Sequence, residues 1–117
     1  MTVDLFAGIS VSDLAQARAW YERFWGSEPA FLPNDVEAVW EVGEHAYVYI
    51  ELRPDHAGHA QCTLFVDDLE GWVDPIVARG IEPEVRETYE NGVRHVTFRD
   101  PDGNEISLGA PPTEPAR

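Results

Sequence analysis

The chain has 117 residues, 44% of them hydrophobic, which is enough for one compact domain without disulfides or a structural metal. Its 22 acidic side chains outnumber 8 basic ones, and the net charge of −14 repels phosphate backbones and anionic lipids. No apolar run reaches the roughly 20 residues that span a bilayer, and the N-terminus lacks signal-peptide features. We therefore expect a cytoplasmic protein with no nucleic-acid or membrane partner.

Two stretches of the chain repeat one pattern. Residues 9–26, ISVSDLAQARAWYERFWG, and residues 64–80, LFVDDLEGWVDPIVARG, each contain a strand end, an Asp that can cap a helix, an amphipathic segment and a closing Gly. Asp13 and Asp68 are 55 positions apart. Because one such unit cannot cover its own apolar face, the repeat predicts two paired copies with a ligand groove between them.

The first copy begins with an alternating strand at about 3–11. A helix follows at about 13–25, and Gly26 ends it. The segment PAFLPND is a short strand or a loop because two prolines interrupt it. Two more strands are predicted at about 36–42 and 45–52, joined by a tight turn in GEH.

The second copy begins with a strand at about 60–67 and a helix at about 69–79, which Pro75 is expected to kink or shorten. Three further strands are predicted at about 82–89, 92–99 and 105–108. The predicted order is therefore βαβββ twice. It makes a single domain of residues 1–110, with modules of about 1–55 and 56–110 and a disordered, proline-rich tail at 111–117.

This pattern resembles the vicinal oxygen chelate superfamily, which includes glyoxalase I, extradiol dioxygenases and bleomycin resistance proteins. The segment VTFRDPDGNEISL at 96–108 is similar to the last hairpin of that family, and residues 9–26 are similar to its first strand and helix. The resemblance implies an α+β fold in which two βαβββ modules form a half-open barrel with helices outside. In many members, four inward side chains bind a divalent metal there.

The resemblance places the four metal-ligand positions at Phe6, Glu51, Gln61 and Ser107. Phenylalanine has no lone pair to donate, serine is a poor ligand unless deprotonated, and an amide oxygen binds divalent ions weakly. Only Glu51 is a strong donor, whereas catalytic zinc sites usually have three protein ligands. We therefore expect no metal and no other cofactor.

Strand alternation predicts which side chains line the cavity. The predicted ligand-binding residues are Phe6, Trp40, Tyr47, Tyr49, Glu51, Gln61, Thr63, Phe65 and Ser107. Aromatic faces and a carboxylate in a cleft suit planar or cationic ligands. Trp40 fits the core as well as the cavity, and Tyr47 and Tyr49 could simply fill the barrel.

The leading hypothesis is a metal-independent small-molecule binding protein of the glyoxalase/bleomycin resistance type. It would sequester a cationic or aromatic drug or metabolite, as in antibiotic resistance. A second is an isomerase or lyase in which Glu51 is the catalytic base and Gln61, Ser107 or His45 orients the substrate. A third is a metal-dependent glyoxalase- or dioxygenase-like enzyme with a displaced ligand set. The resemblance and exposed sheet edges also predict a homodimer, whose modules pair either within or between chains.

Overall fold

The computed structural model describes residues 1–113 and confirms the predicted α+β class. The first module comprises β1 (Leu5–Val11), α1 (Leu14–Trp25), β2 (Phe31–Asn34), β3 (Glu37–Gly43) and β4 (Ala46–Leu52). A single 3₁₀ turn, Pro54–His56, precedes the second module. That module comprises β5 (Gln61–Phe65), α2 (Leu69–Ala78), β6 (Val85–Thr88), β7 (Arg94–Arg99) and β8 (Glu105–Ala110).

Each module forms its own four-stranded mixed sheet, in the order β1-β4-β3-β2 for sheet 1 and β5-β8-β7-β6 for sheet 2. The first and last strands of a module are parallel, and its other neighbouring strands are antiparallel. Within residues 1–113 the sheets do not close into a barrel, and β1 and β5 each keep one unpaired edge.

The two helices begin where the repeat predicts. The carboxylate of Asp13 accepts a hydrogen bond from the Gln16 amide at 2.9 Å, and that of Asp68 accepts one from the Gly71 amide at 3.0 Å. Each aspartate therefore satisfies a backbone donor that the first helical turn leaves without a partner.

Several strand boundaries differ from the prediction by one to three residues. β6 spans only Val85–Thr88, since Pro83 has no backbone N–H to donate to a ladder. β8 continues to Ala110, two residues further than expected. α2 runs on past Pro75 to Ala78, so the proline does not end it.

Of the predicted disordered tail, residues 111–113 carry no helix or strand, and residues 114–117 lie outside the described part of the chain. Neither helix in the described part is long and apolar enough to cross a membrane.

One hydrophobic core joins the two modules, and α1 contacts both sheets. The Tyr21 ring lies 6.0 Å from that of Trp40 in β3, and the Phe24 ring lies 5.2 Å from that of Phe98 in β7. All four side chains are at most 1% exposed. Since β3 and β7 belong to different sheets, α1 packs against a buried face of each sheet. We call the opposite surfaces of the two sheets the free faces.

A buried polar cluster fixes this arrangement. Asp100 accepts hydrogen bonds from the Tyr21 hydroxyl at 2.7 Å and from the Asn104 side-chain amide at 2.8 Å. Asn104 also donates to the Ser10 carbonyl at 3.0 Å and accepts from two N–H groups of the linker at 3.1 and 2.9 Å. Burial, reinforced by the negative charge of Asp100, raises the pKa of Tyr21 well above its ordinary value.

Two arginines also join the C-terminal ends of the helices. Arg23 donates to the carbonyls of Arg79 at 3.2 Å and Gly80 at 3.1 Å, while Arg79 donates to the carbonyls of Arg23 and Phe24. Gly26 and Gly80 have φ of 80° and 93°, and a Cβ on either would lie 2.9 Å from the guanidinium of the opposite arginine. Each helix thus supplies the cation that stabilises the other helix's C-terminal carbonyls.

Candidate functional site

The free face of sheet 1 is aromatic in the middle. Strand pairing forms three rows across it: Phe6–Tyr47–Glu41, Gly8–Tyr49–Val39–Phe31 and Ser10–Glu51–Glu37–Asn34. The rings of Phe6 and Tyr47 stack with their centroids 4.5 Å apart and their planes inclined by 12°. Phe31 meets Tyr47 edge-on at 6.5 Å. Phe6 is 47% exposed and Phe31 45%, so these rings are accessible to a ligand.

Gly8 lets Tyr49 lie flat across the sheet. A Cβ at Gly8 would come within 2.6 Å of the Tyr49 ring and hydroxyl, which is closer than any side chain permits. The glycine therefore makes room for the tyrosine ring, which extends the aromatic surface beside Phe6.

Carboxylates surround the aromatic surface. Glu41 lies at one end, and Glu37 and Glu51 are cross-strand neighbours at the other. None of the three forms a salt bridge within residues 1–113. Like charges directly opposite each other on a sheet are destabilising, and this pair has no described cation beside it. The free face of sheet 1 therefore attracts cations.

The free face of sheet 2 is different. Its rows are Gln61–Glu105–Arg99, Thr63–Ser107–Thr97–Val85 and Phe65–Gly109–His95–Glu87. Thr63 and Ser107 share a hydrogen bond of 2.7 Å. Arg99 is held by Glu84 at 2.7 Å and Glu105 at 2.8 Å, so its charge is neutralised. This face offers hydroxyls for hydrogen bonding rather than free charge.

Eight of the nine predicted ligand-binding residues lie on the free faces, but Trp40 does not. The prediction that Trp40 lines the cavity is wrong. Trp40 lies on the back of sheet 1, is 1% exposed, and donates its indole N–H to the Ser27 carbonyl at 2.9 Å. It belongs to the core against α1.

Glu51 and Ser107, which the resemblance treats as a pair, do not occupy equivalent positions in the strand register. β1 pairs Phe6 with Tyr47, and β5 pairs the equivalent Gln61 with Glu105. Two residues further along the last strand of each module, Tyr49 and Ser107 correspond. Glu51 therefore lies one row beyond Tyr49, which corresponds to Ser107 in the strand register.

His45 does not face the proposed site either. It lies in the β3–β4 turn with φ of 63°, and its Nδ1 is 2.6 Å from Asp4. A substrate-orienting role for His45 on the free face is therefore excluded by its position.

The residues at these positions do not fit a divalent metal. The four positions that the resemblance implies hold Phe6, Glu51, Gln61 and Ser107, of which only Glu51 is a carboxylate, imidazole or thiolate. Within residues 1–113 no three His, Cys, Asp or Glu side chains come together as a metal site. Protein sites for transition metals use such donors.

Strand pairing adds residues that sequence reasoning missed. Phe31, Glu37 and Glu41 share the free face of sheet 1, and Thr97 and His95 share that of sheet 2. The spacing of Glu37, Val39 and Glu41 carried this information, because two charged residues at alternating positions place Trp40 on the opposite, buried face.

An apolar cleft of about 500 Å³ lies between the unpaired edges of β1 and β5, and we call it the edge cleft. Its apolar lining includes Leu5, Ala7, Val48, Cys62, Leu64 and Trp72. Four predicted ligand-binding residues also line it: Tyr47, Gln61, Thr63 and Phe65. No charged residue lines it. Burial in this cleft raises the pKa of the Cys62 thiol, which makes it a poor nucleophile.

The sequence matches the family model of the glyoxalase/bleomycin resistance protein/dioxygenase superfamily over residues 3–108. The chain belongs to this superfamily. A search of curated proteins gave no match.

Solved structures of the superfamily share the fold. A glyoxalase/bleomycin resistance protein from Catenulispora acidiphila is 49% identical, with a TM-score of 0.91 over 95% of this chain and 100% of that one. A bleomycin-binding protein in complex with bleomycin is 22% identical, with a TM-score of 0.76 over 97% and 100%. A lactoylglutathione lyase from Agrobacterium tumefaciens is 20% identical, with a TM-score of 0.71 over 94% of each chain. The last two similarities show the fold alone.

Proposed function

We propose that this chain is a metal-independent small-molecule binding protein that sequesters a cationic or aromatic drug or metabolite. The observation that carries the proposal is the stacked pair of Phe6 and Tyr47, accessible and bordered by carboxylates without described cationic partners. A ligand ring or a ligand cation that packs on an aromatic face contributes roughly 0.5–2 kcal/mol to the binding free energy. A carboxylate nearby adds a charge-assisted hydrogen bond.

Binding fits this face better than catalysis. A catalytic base is normally held in place by a third group that orients it. Glu51 forms no side-chain hydrogen bond within residues 1–113, so nothing described there fixes its direction. A flexible carboxylate is well suited to neutralise a cation whose position varies.

The relatives support the same proposal. A bleomycin-binding protein with this fold holds bleomycin in its structure, and the Catenulispora protein at 49% identity carries the bleomycin resistance name. For this chain, drug binding would confer resistance by sequestration. We also propose a cytoplasmic location for this activity.

Isothermal titration calorimetry tests the proposal, with bleomycin and ethidium as probes and with protein treated with EDTA. The expected result is binding of at least one probe with no dependence on added divalent metal. Phe6→Ala should weaken it about tenfold, since a lost aromatic contact of about 1.4 kcal/mol corresponds to that factor. Leu32→Ala is the matched control, because Leu32 is similarly exposed but lies off the free face.

Three results would overturn the proposal. The first is absence of binding for both probes, and the second is binding that EDTA abolishes and a divalent ion restores. The third is chemical conversion of a bound probe, detected by mass spectrometry and lost in Glu51→Gln, which would favour the enzyme hypothesis.

A further inference from the structure

The carboxylates on the free face of sheet 1 lie at two opposite ends, and aromatic rings lie between them. Glu41 shares the first row with Phe6 and Tyr47, whereas Glu37 and Glu51 share the third row. Glu37 and Glu41 are four positions apart in β3, which corresponds to about 13 Å at the rise of an extended strand. Two separate negative positions therefore flank one aromatic surface.

The surface between the two ends is apolar and covered by rings. Val39 lies midway between Glu37 and Glu41 on β3, and although it belongs to the free face it is only 3% exposed. Its cross-strand neighbours are Phe31 on one side and Tyr49 on the other. A flat ligand can therefore rest on aromatic side chains between one acidic end and the other.

The chain itself neutralises neither end. Glu41 and Glu51 form no side-chain hydrogen bond or salt bridge within residues 1–113, and Glu37 accepts a 2.5 Å hydrogen bond from the uncharged Asn34 amide. Arg53, two positions after Glu51, makes no ion pair with it in the described part of the chain. A ligand with positive charge at both ends would therefore displace no described ion pair.

We infer, on the basis of the proposed function, that this face selects flat aromatic dications. One positive group lies against Glu41 and the other lies against Glu37 and Glu51. A rigid ligand held at one end already has its second cation near the other end, so the second contact costs little further loss of freedom. That contact should raise the affinity about tenfold over a ligand of the same shape with one charge.

The two acidic ends differ in strength. Glu37 and Glu51 are cross-strand neighbours, so their combined charge attracts the first cation. Glu41 stands alone in its row, beside the stacked rings of Phe6 and Tyr47. A ligand with one positive charge should therefore bind at the Glu51 end, and only a ligand with two should depend on Glu41. Glu41 is thus the residue that determines the preference for dications.

A matched pair of probes tests this preference. The phenylindole diamidine DAPI carries an amidinium group at each end of one flat ring system, and its monoamidine analogue keeps the rings and one amidinium. In fluorescence titrations, EDTA-treated wild type should bind the diamidine about tenfold more tightly. Glu41→Gln should weaken diamidine binding about fivefold to tenfold and monoamidine binding by less than about twofold. Glu51→Gln should weaken the binding of both probes.

Glu44→Gln is the matched charge control. It removes the same charge three positions after Glu41, but Glu44 lies in the β3–β4 turn outside the three rows, with its side chain 89% exposed. The substitution should change the affinity for either probe by less than about twofold. Circular dichroism spectra that match wild type check that each variant is folded.

Equal affinities of the two probes for wild type, or equal losses for both probes in Glu41→Gln, would overturn the inference and leave the proposed function in place. An effect of Glu44→Gln as large as that of Glu41→Gln would also overturn it, because attraction by the net charge would then explain the preference. So would an unchanged diamidine affinity in Glu41→Gln, which is expected for binding in the edge cleft, where no charged residue lies. If both probes, ethidium and bleomycin all failed to bind, the proposed function would fail as well.

Discussion

Sheets 1 and 2 have the same strand order and similar buried backs, yet their free faces differ. Sheet 1 presents the stacked rings of Phe6 and Tyr47 among unpaired carboxylates. Sheet 2 presents a row of hydroxyls beside Arg99, which two glutamates neutralise. The backs must stay apolar because they share one core, whereas the front side chains named above lie outside that core. We propose that the backs provide stability and that the fronts provide recognition.

The largest expected effect is the difference in stability loss between a substitution on the back of sheet 2 and one on its free face. Phe98→Ala removes a fully buried ring from the shared core and should lower the free energy of unfolding by about 4 kcal/mol. Phe65→Ala removes a ring that is 65% exposed and should cost less than about 1 kcal/mol. Urea denaturation of both variants at one protein concentration measures the difference. Equal losses would refute the division between backs and fronts.

The next effect concerns the module junction. Asn104→Ala leaves linker N–H groups and the Ser10 carbonyl without partners, which should cost about 3 kcal/mol. Asn91→Ala is the control, because Asn91 is exposed and makes one local bond to the Val93 amide; it should cost about 0.5 kcal/mol. Chemical denaturation checks both values. A loss below about 1 kcal/mol for Asn104→Ala would mean that the cluster does not fix the modules.

A smaller effect separates the two free faces. Glu51→Gln removes a carboxylate that has no described cationic partner and should weaken ethidium binding about fivefold to tenfold, or about 1 kcal/mol. Glu105→Gln changes a carboxylate already paired with Arg99 and should alter affinity by less than twofold. Titrations at low and high salt measure both, and the wild-type advantage over Glu51→Gln should shrink as salt rises. A larger loss of ethidium affinity for Glu105→Gln than for Glu51→Gln would indicate that sheet 2 binds the dye.

The smallest effect is an alkaline loss of stability. Burial beside Asp100 raises the pKa of Tyr21 in the folded chain, so unfolding releases a proton above about pH 10. The contribution of neutral Tyr21 to the free energy of unfolding is complete below about pH 10 and falls as the pH rises further. Between pH 8 and 10.5 wild type should lose about 1 kcal/mol more than Tyr21→Phe. Urea curves at both pH values measure it, and parallel losses would contradict the assignment.

Local signals in the sequence predicted the modules well. Asp13 and Asp68 begin the helices, and period-two alternation placed Phe6, Tyr47 and Thr63 on one side of their strands. These features depend on residues that are close together in the chain, so a single sequence is enough to predict them. The alternation in β3 also predicts a buried Trp40, because Glu37 and Glu41 lie on the opposite face of the strand. The prediction for Trp40 was wrong because the cavity was assigned to the face of β3 that packs on the helix.

The remaining errors arise from long-range geometry. Equivalent positions are 55 residues apart in the first strands but 58 apart in the last, since the second module has three more residues between those strands. The packing of the two modules depends on contacts such as Tyr21 with Asp100, which are 79 residues apart and leave no periodic signal.

A crystal structure of EDTA-treated protein with bound ethidium tests the central claim most directly. The account predicts the dye's ring system on the Phe6–Tyr47 stack, near Glu51, without an ion between them. Dye bound away from both Phe6 and Tyr47, or a divalent ion held by Glu51 and two further protein donors, would contradict it.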